Sequence, residues 1–181
     1  RSSDLSVVLG NGQPQLVEVK AVTPGYPLRG VLRISDTPFG VDQATTGIPA
    51  SGDIWVEARL LQLLELEVGD DVSLGTKTFN IHKVLRYEPD RAGDMFSVAP
   101  RVLMNRADVD ATGLIGTGAL VNYRVLISGP RSSIDDYQGA IRDSLRAGEQ
   151  ILTVEEGRPE LNTALERAQE FLGLAALISV L

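Results

Sequence analysis

His82 is the only histidine in the chain and stands mid-strand in FNIHKVL, between Ile81 and Lys83. A Ser-type nucleophile needs such a base beside it, and no G-x-S-x-G elbow occurs anywhere to supply the nucleophile. Strand parity puts Phe79, Ile81 and Lys83 on one face and Asn80, His82 and Val84 on the other, the setting of a structural, half-exposed histidine. Gly113 to Gly118 reads GLIGTG, with glycines off the spacing of a dinucleotide fingerprint and no long strand feeding them, so it reads as a turn. Asp108, Asp110, Thr112 and Gly113 imitate the opening of a calcium loop. The twelfth position, where a bidentate Glu belongs, is Ala119. Asp108 is more simply the N-cap of a short turn. The adjacent carboxylates Asp70/Asp71, Asp135/Asp136 and Glu155/Glu156 diverge from one another on any regular element and form no acid–base dyad. Trp55, on a short strand, reads as core. The expectation is a non-enzyme with no catalytic, cofactor-binding or metal-binding residues.

One stretch carries the pattern of a contact surface. Pro89, Asp90 and Arg91 lead into Met95-Phe96, placing apolar residues beside a charged loop. The same pattern fits the first core residues of a following strand. Arg91, Met95 and Phe96 are the candidate partner contacts.

The elements that would carry these residues are set by composition and pattern. The 181 residues leave room for one or two domains. Seventeen basic and 24 acidic residues give a formal charge of −7, which argues against a nucleic-acid surface. A 43% hydrophobic content is ordinary for a globular protein, and with no cysteine no disulfide holds the fold. The chain starts at Arg1 and shows neither a signal peptide nor a complete transmembrane run, so both ends read as cut.

Along the chain, Leu5 to Leu9 is a short apolar run, and Asn11-Gly12 signals a hairpin into a strand over Gln15 to Val22. Val31 to Ile34 is a further strand, followed by an irregular passage from Asp36 to Gly52. Ile54 to Val56 predicts a strand and Glu57 to Leu64 a short helix. Val72 to Leu74 and Thr78 to Tyr87 form a tight hairpin around Gly75. Met95 to Met104 is extended, bent at Pro100. Val121 to Ile127 predicts a strand, and Ser133 with Asp136 an acidic capping box opening a helix to about Arg146. Gln150 to Val154 predicts the next strand. Strand, helix, strand, helix over 121–181 reads as an α/β unit, joined to a mostly β stretch before it.

Pro159 to Leu172 has helical spacing, with Leu161, Ala164, Leu165, Ala168, Phe171 and Leu172 on one face. Phe171 to Leu181 then reads FLGLAALISVL, eleven residues without a charge. A span needs about 20 apolar residues. Pattern alone leaves two readings: a buried final helix, or a juxtamembrane helix entering a bilayer.

Several segments resemble a known family. YPLRGVLRIS (Tyr26 to Ser35), GIPASGDIWVEARLL (Gly47 to Leu61) and VGDDVSLG (Val68 to Gly75) resemble the extracytoplasmic domain of FtsX-like/MacB-like ABC-transporter permeases. EPDRAGDMFSVAPRVLMN (Glu88 to Asn105), DVDATGLI (Asp108 to Ile115) and ALERAQEFLGLAALISVL (Ala164 to Leu181) narrow the resemblance to the YbbP-like branch. It covers most of the chain from about Gln15. It implies an α+β fold: a porter-like α/β subdomain (1–22 and 120–158, discontinuous), a β-rich inserted subdomain (23–119), and a long C-terminal juxtamembrane helix leading into a transmembrane segment (159–181). Membrane entry would fall at Phe171, Leu172 and Leu174. The family layout places a further strand and helix ahead of residue 1. It also implies a location on the inner (cytoplasmic) membrane with the domain facing the periplasm, and a role coupling ATP-driven helix motion to handover of a lipid-like or hydrophobic substrate. The implied partners are a cognate ABC ATPase, reached through transmembrane parts this chain lacks, the membrane itself, and a periplasmic esterase or thioesterase; nucleic acid is not among them. The competing reading is a soluble periplasmic or extracellular binding or adaptor module whose last helix is core.

Overall fold

The computed structural model describes residues 5–91, 99–116 and 121–153. Strand β1 (Leu5–Gly10) turns through Asn11-Gly12 into β2 (Gln13–Val22), with Gly10 opposite Gln13. Both turn residues have positive φ, 51° and 75°, the conformation that lets a two-residue turn follow the strand twist. The next strands are β3 (Leu32–Ser35), β4 (Gln43–Thr45) and β5 (Asp53–Val56), followed by helix α1 (Ala58–Leu64). Strands β6 (Asp71–Leu74) and β7 (Lys77–Tyr87) form the hairpin at Gly75, and β8 (Arg101–Asn105) completes the set. A 3-10 turn and helix α2 (Val109–Thr112) follow, and later helix α3 (Arg131–Arg142).

The eight strands form one sheet, and it closes. In the order β1, β2, β8, β5, β7, β6 each strand pairs with the next, and β6 pairs back with β1. Closure removes the unpaired edges an open sheet would expose. β3 and β4 extend off the second half of β7, so β4 is the remaining free edge. Two of the pairings, β2 with β8 and β5 with β7, are parallel.

Alternation along each strand sorts side chains to the two sides of this wall. Val8, Val17, Val19, Ile54, Val56, Val72, Leu74, Phe79, Ile81, Val102 and Met104 form the main core, and α1 packs Leu60, Leu61 and Leu64 into it. Gly10 belongs to this side because a Cβ there would stand 2.7 Å from Leu66 and 3.0 Å from Leu64. A second, smaller core joins Val22, Tyr26, Leu32, Ile34, Trp55, Leu85 and Leu103. Trp55 is thus core, as its strand setting implies.

Residues 1–126 and 127–181 are two compact units. In the second, α3 starts after Pro130, two residues ahead of Ser133, and ends at Arg142. No side chain caps it, so Ser133 and Asp136 lie inside the first turns rather than forming a capping box. Helical spacing puts Ile134, Tyr137, Ile141 and Leu145 on one face; Ile134, Ile141 and Leu145 are half-buried, whereas Tyr137 is exposed.

β1 and β2 supply two strands of the sheet, and β2 reaches β8 by a non-local pairing invisible in local pattern. Three expectations about elements change. The passage 36–52 contains the short strand β4. Val121 to Ile127 is irregular and mostly exposed. Residues 150–153 are likewise irregular. The α+β class stands as a mixed, barrel-like sheet with few helices. The long C-terminal helix and its entry into a membrane lie outside the described residues, among which no helix is long and apolar enough to cross a membrane.

Candidate functional site

The loop singled out by sequence leaves β7 at Tyr87 and returns to β8 at Arg101, and its two described ends rest on a lattice of buried charges. Glu88, 4% exposed, directly follows β7. Its Oε1 accepts hydrogen bonds from Lys20 Nζ and from Tyr26 OH, each at 2.6 Å. Lys20 also reaches Tyr26 OH at 2.7 Å and lies over the Tyr26 ring, 4.5 Å from its centroid. Glu88 Oε2 stands 3.1 Å from Arg101 Nε, close enough for a strong charge interaction but off the hydrogen-bond line. Burial would raise the Glu88 pKa; the charges of Lys20 and Arg101 and the hydrogen bonds from Lys20 and Tyr26 outweigh it and hold the carboxyl below its ordinary value.

The parallel register explains the next contact. Glu18 on β2 pairs with Arg101 on β8, and Arg101 Nη1 meets Glu18 Oε1 at 2.8 Å. Arg91, on the 3-10 turn Pro89–Arg91, stands 3.7 Å from Glu18 Oε2, pairs with Glu57 Oε1, and donates to Ala99 O at 3.2 Å. Glu57 occupies the N-cap position of α1 but gives that helix no side-chain cap. Its Oε2 is taken by Arg59 Nε at 2.8 Å and by the Arg101 backbone N–H at 3.1 Å. Lys20, Arg59, Arg91 and Arg101 thus interleave with Glu18, Glu57 and Glu88. Glu88 and Arg91 hold one end, Ala99 and Arg101 the other.

A second charge site ties the far end of β8. Asp108, 2% exposed, accepts from Ser51 Oγ at 2.6 Å and Gly52 N at 2.9 Å and pairs with Lys77 Nζ. Burial works to raise its pKa, and the hydrogen bonds from Lys77, Ser51 and Gly52 with the Lys77 charge bring it below the ordinary value. Asp108 is neither a side-chain N-cap nor part of a calcium loop; Asn105 caps the turn by accepting from Ala107 N at 3.0 Å, and the Asp108 carboxylate holds an ammonium. Gly113 is the left-handed C-cap of α2, in keeping with the turn read from GLIGTG.

Of the candidate contacts, Arg91 is largely buried, its side chain 10% exposed, while Met95 and Phe96 fall outside the described residues. So do Phe171, Leu172 and Leu174. His82 is exposed, its side chain 53% accessible and its Nδ1 3.9 Å from Asp53 Oδ2. Sequence reasoning missed the partners of Arg91. The available signal was Glu18 and Lys20 interrupting an apolar strand, which marks a face that must find countercharges. Chemically, a carboxylate kept ionised by neighbouring cations is poorly tuned for proton transfer at neutral pH; the lattice is a brace.

No family model matches the chain. Over 168 residues, 93% of its length, the chain is 34% identical to the uncharacterized ABC transporter permease YbbP of Escherichia coli (strain K12). It spans 20% of that relative. The chain is thus similar, over nearly its whole length, to a domain-sized part of an ABC-transporter permease.

Proposed function

We propose that the chain is a non-catalytic, periplasm-facing domain of an FtsX-like/MacB-like permease in the inner membrane. It couples ATP-driven movement of membrane helices to handover of a lipid-like or hydrophobic substrate. The observation that carries this reading is the similarity to YbbP over nearly the whole chain. A closed, barrel-like sheet with buried ion pairs joining β2, β8 and the end of β7 fits a body that moves as a unit instead of deforming. On this reading the amphipathic stretch from Pro159 links the domain to the membrane, an ABC ATPase supplies the motion from the other side, and Met95-Phe96 with the loop held by Arg91 meets a partner. The esterase or thioesterase partner rests on the family resemblance alone, as does the porter-like grouping of residues 1–22 with 120–158.

The test is a Gly/Ser insertion after Glu170 in the native permease. Substrate handover is expected to fall sharply while ATP hydrolysis continues uncoupled. Unchanged coupling would overturn the reading.

A further inference from the structure

Asn11 and Gly12 form the two-residue turn between β1 and β2, and both are exposed. The Asn11 side-chain amide makes no hydrogen bond. A Cβ added at Gly12 would meet nothing within 4 Å, so the Gly12 nitrogen is unhindered. The other described asparagines are set differently. Asn80 donates to Gly69 O at 2.7 Å and to Asp71 at 3.2 Å, and is followed by buried Ile81. Asn105 donates to Pro49 O at 3.0 Å, accepts from Ala107 N at 3.0 Å, and is followed by Arg106. Asn122 precedes the bulky Tyr123.

We infer that Asn11 is a site of spontaneous deamidation and isoaspartate formation, and that its conversion weakens the closure of the sheet. Gly12 N attacks Asn11 Cγ and loses its proton, and the side-chain nitrogen leaves as ammonia, giving a five-membered imide. Water then opens the imide at one of its two carbonyls. Attack at Cγ returns an ordinary backbone carrying aspartate; attack at the Asn11 backbone carbonyl leaves isoaspartate, with the chain running through Cβ and Cγ. No oxidant or reductant takes part. Either product moves the formal charge from −7 to −8, one amide becoming one carboxylate. Asn11 has φ 51° in the closed turn, and ring closure needs rotation out of that left-handed conformation, so the reaction draws on the frayed tip of the hairpin.

Isoaspartate adds one atom to the backbone of a turn that reaches only from Gly10 to Gln13. The pair of positive φ angles matched to the strand twist is then lost. Gly10 has no room to shift, being packed against Leu66, Leu64 and Val72. The misfit therefore passes into β1, which pairs with β2 on one side and closes on β6 through Val8–Leu74 and Leu9–Ser73 on the other. The coupling role proposed above does not enter this inference.

The experiment incubates the native protein in mildly alkaline buffer at physiological temperature. Peptide mapping by mass spectrometry follows acid formation at each asparagine, and chromatographic retention separates aspartate from isoaspartate. Conversion is expected at Asn11 ahead of Asn80, Asn105 and Asn122, about tenfold slower in the folded protein than in urea, since fraying at a hairpin tip costs little. N11G, whose Gly-Gly pair suits the same turn, is expected to keep the fold and show no conversion at this position. The isoaspartate fraction is expected to melt at a lower temperature and to exchange its β1 and β6 amide hydrogens faster than unconverted protein. Conversion led by another of these asparagines, or confined to urea, overturns the site. An isoaspartate fraction with unaltered exchange in β1 and β6 overturns the effect on closure.

Discussion

Glu88 is nearly sealed from water yet stays ionised, and that makes acid its weak point. Its pKa is below the ordinary 4.5, and that of Asp108 below 3.8. A group whose folded pKa is depressed contributes stability that is present above its unfolded pKa and is lost as pH falls through the folded value. Urea midpoints should therefore hold steady above about pH 5 and decline progressively below about pH 4.5, as Glu88 and Asp108 take up protons. Glu88→Gln should lower stability at pH 7 by about 3 kcal/mol, because it leaves Lys20 and Arg101 without their shared countercharge in a desolvated setting. It should also flatten the acid decline, which a urea series across pH would reveal. Arg91→Glu would set a third carboxylate against Glu18 and Glu57, and its first effect should be a lower Tm rather than an altered surface.

Turns show how much backbone conformation and surroundings contribute separately. Gly12 and Gly75 both have positive φ, 75° and 61°. Nothing stands within 4 Å of a Cβ added at Gly12, whereas one at Gly75 would fall 2.0 Å from Thr112 O. That closeness exists because the β6–β7 turn is docked on α2, where Thr76 N donates to Thr112 O at 2.8 Å and Thr76 Oγ1 to Ala111 O at 3.1 Å. Gly12→Ala should cost about 1 kcal/mol, the strain of a left-handed non-glycine residue. Gly75→Ala should cost several times more, since backbone must move, and thermal melts of the pair would separate the two terms. The same turns explain what was legible beforehand. Asn11-Gly12 and Gly75 announce hairpins through local chemistry, so β1, β2, β6 and β7 could be read to within a few residues. Val121 to Ile127 has strand-like composition too, yet this segment is irregular. The charge lattice was illegible for a related reason: Glu18, Glu57, Glu88 and Arg101 meet only because strands far apart in sequence lie side by side.

Among the described residues, every strand and both cores lie between Leu5 and Asn105. Glycine-capped α2 completes the packing against the β6–β7 turn. A chain ended after Gly116 should thus unfold in one cooperative transition by circular dichroism, and a gradual, non-cooperative melt would show that later residues are needed. The barrel-like sheet, as opposed to a set of hairpins, was not legible, because its defining contacts are the parallel β2–β8 pair and the closure of β6 on β1.

The β2–β8 pair also sets a clock. Val19 opposes Val102 and Lys20 opposes Leu103, so the barrel wall cannot shut until the last strand has been made and delivered. The first hairpin must wait, its apolar side unsheltered, while some eighty residues are added, about 4–16 s at ordinary synthesis rates. Refolding should accordingly run on the millisecond-to-second times of non-local β topologies. A ribosome stalled anywhere before Asn105 has emerged would hold a chain in need of a chaperone.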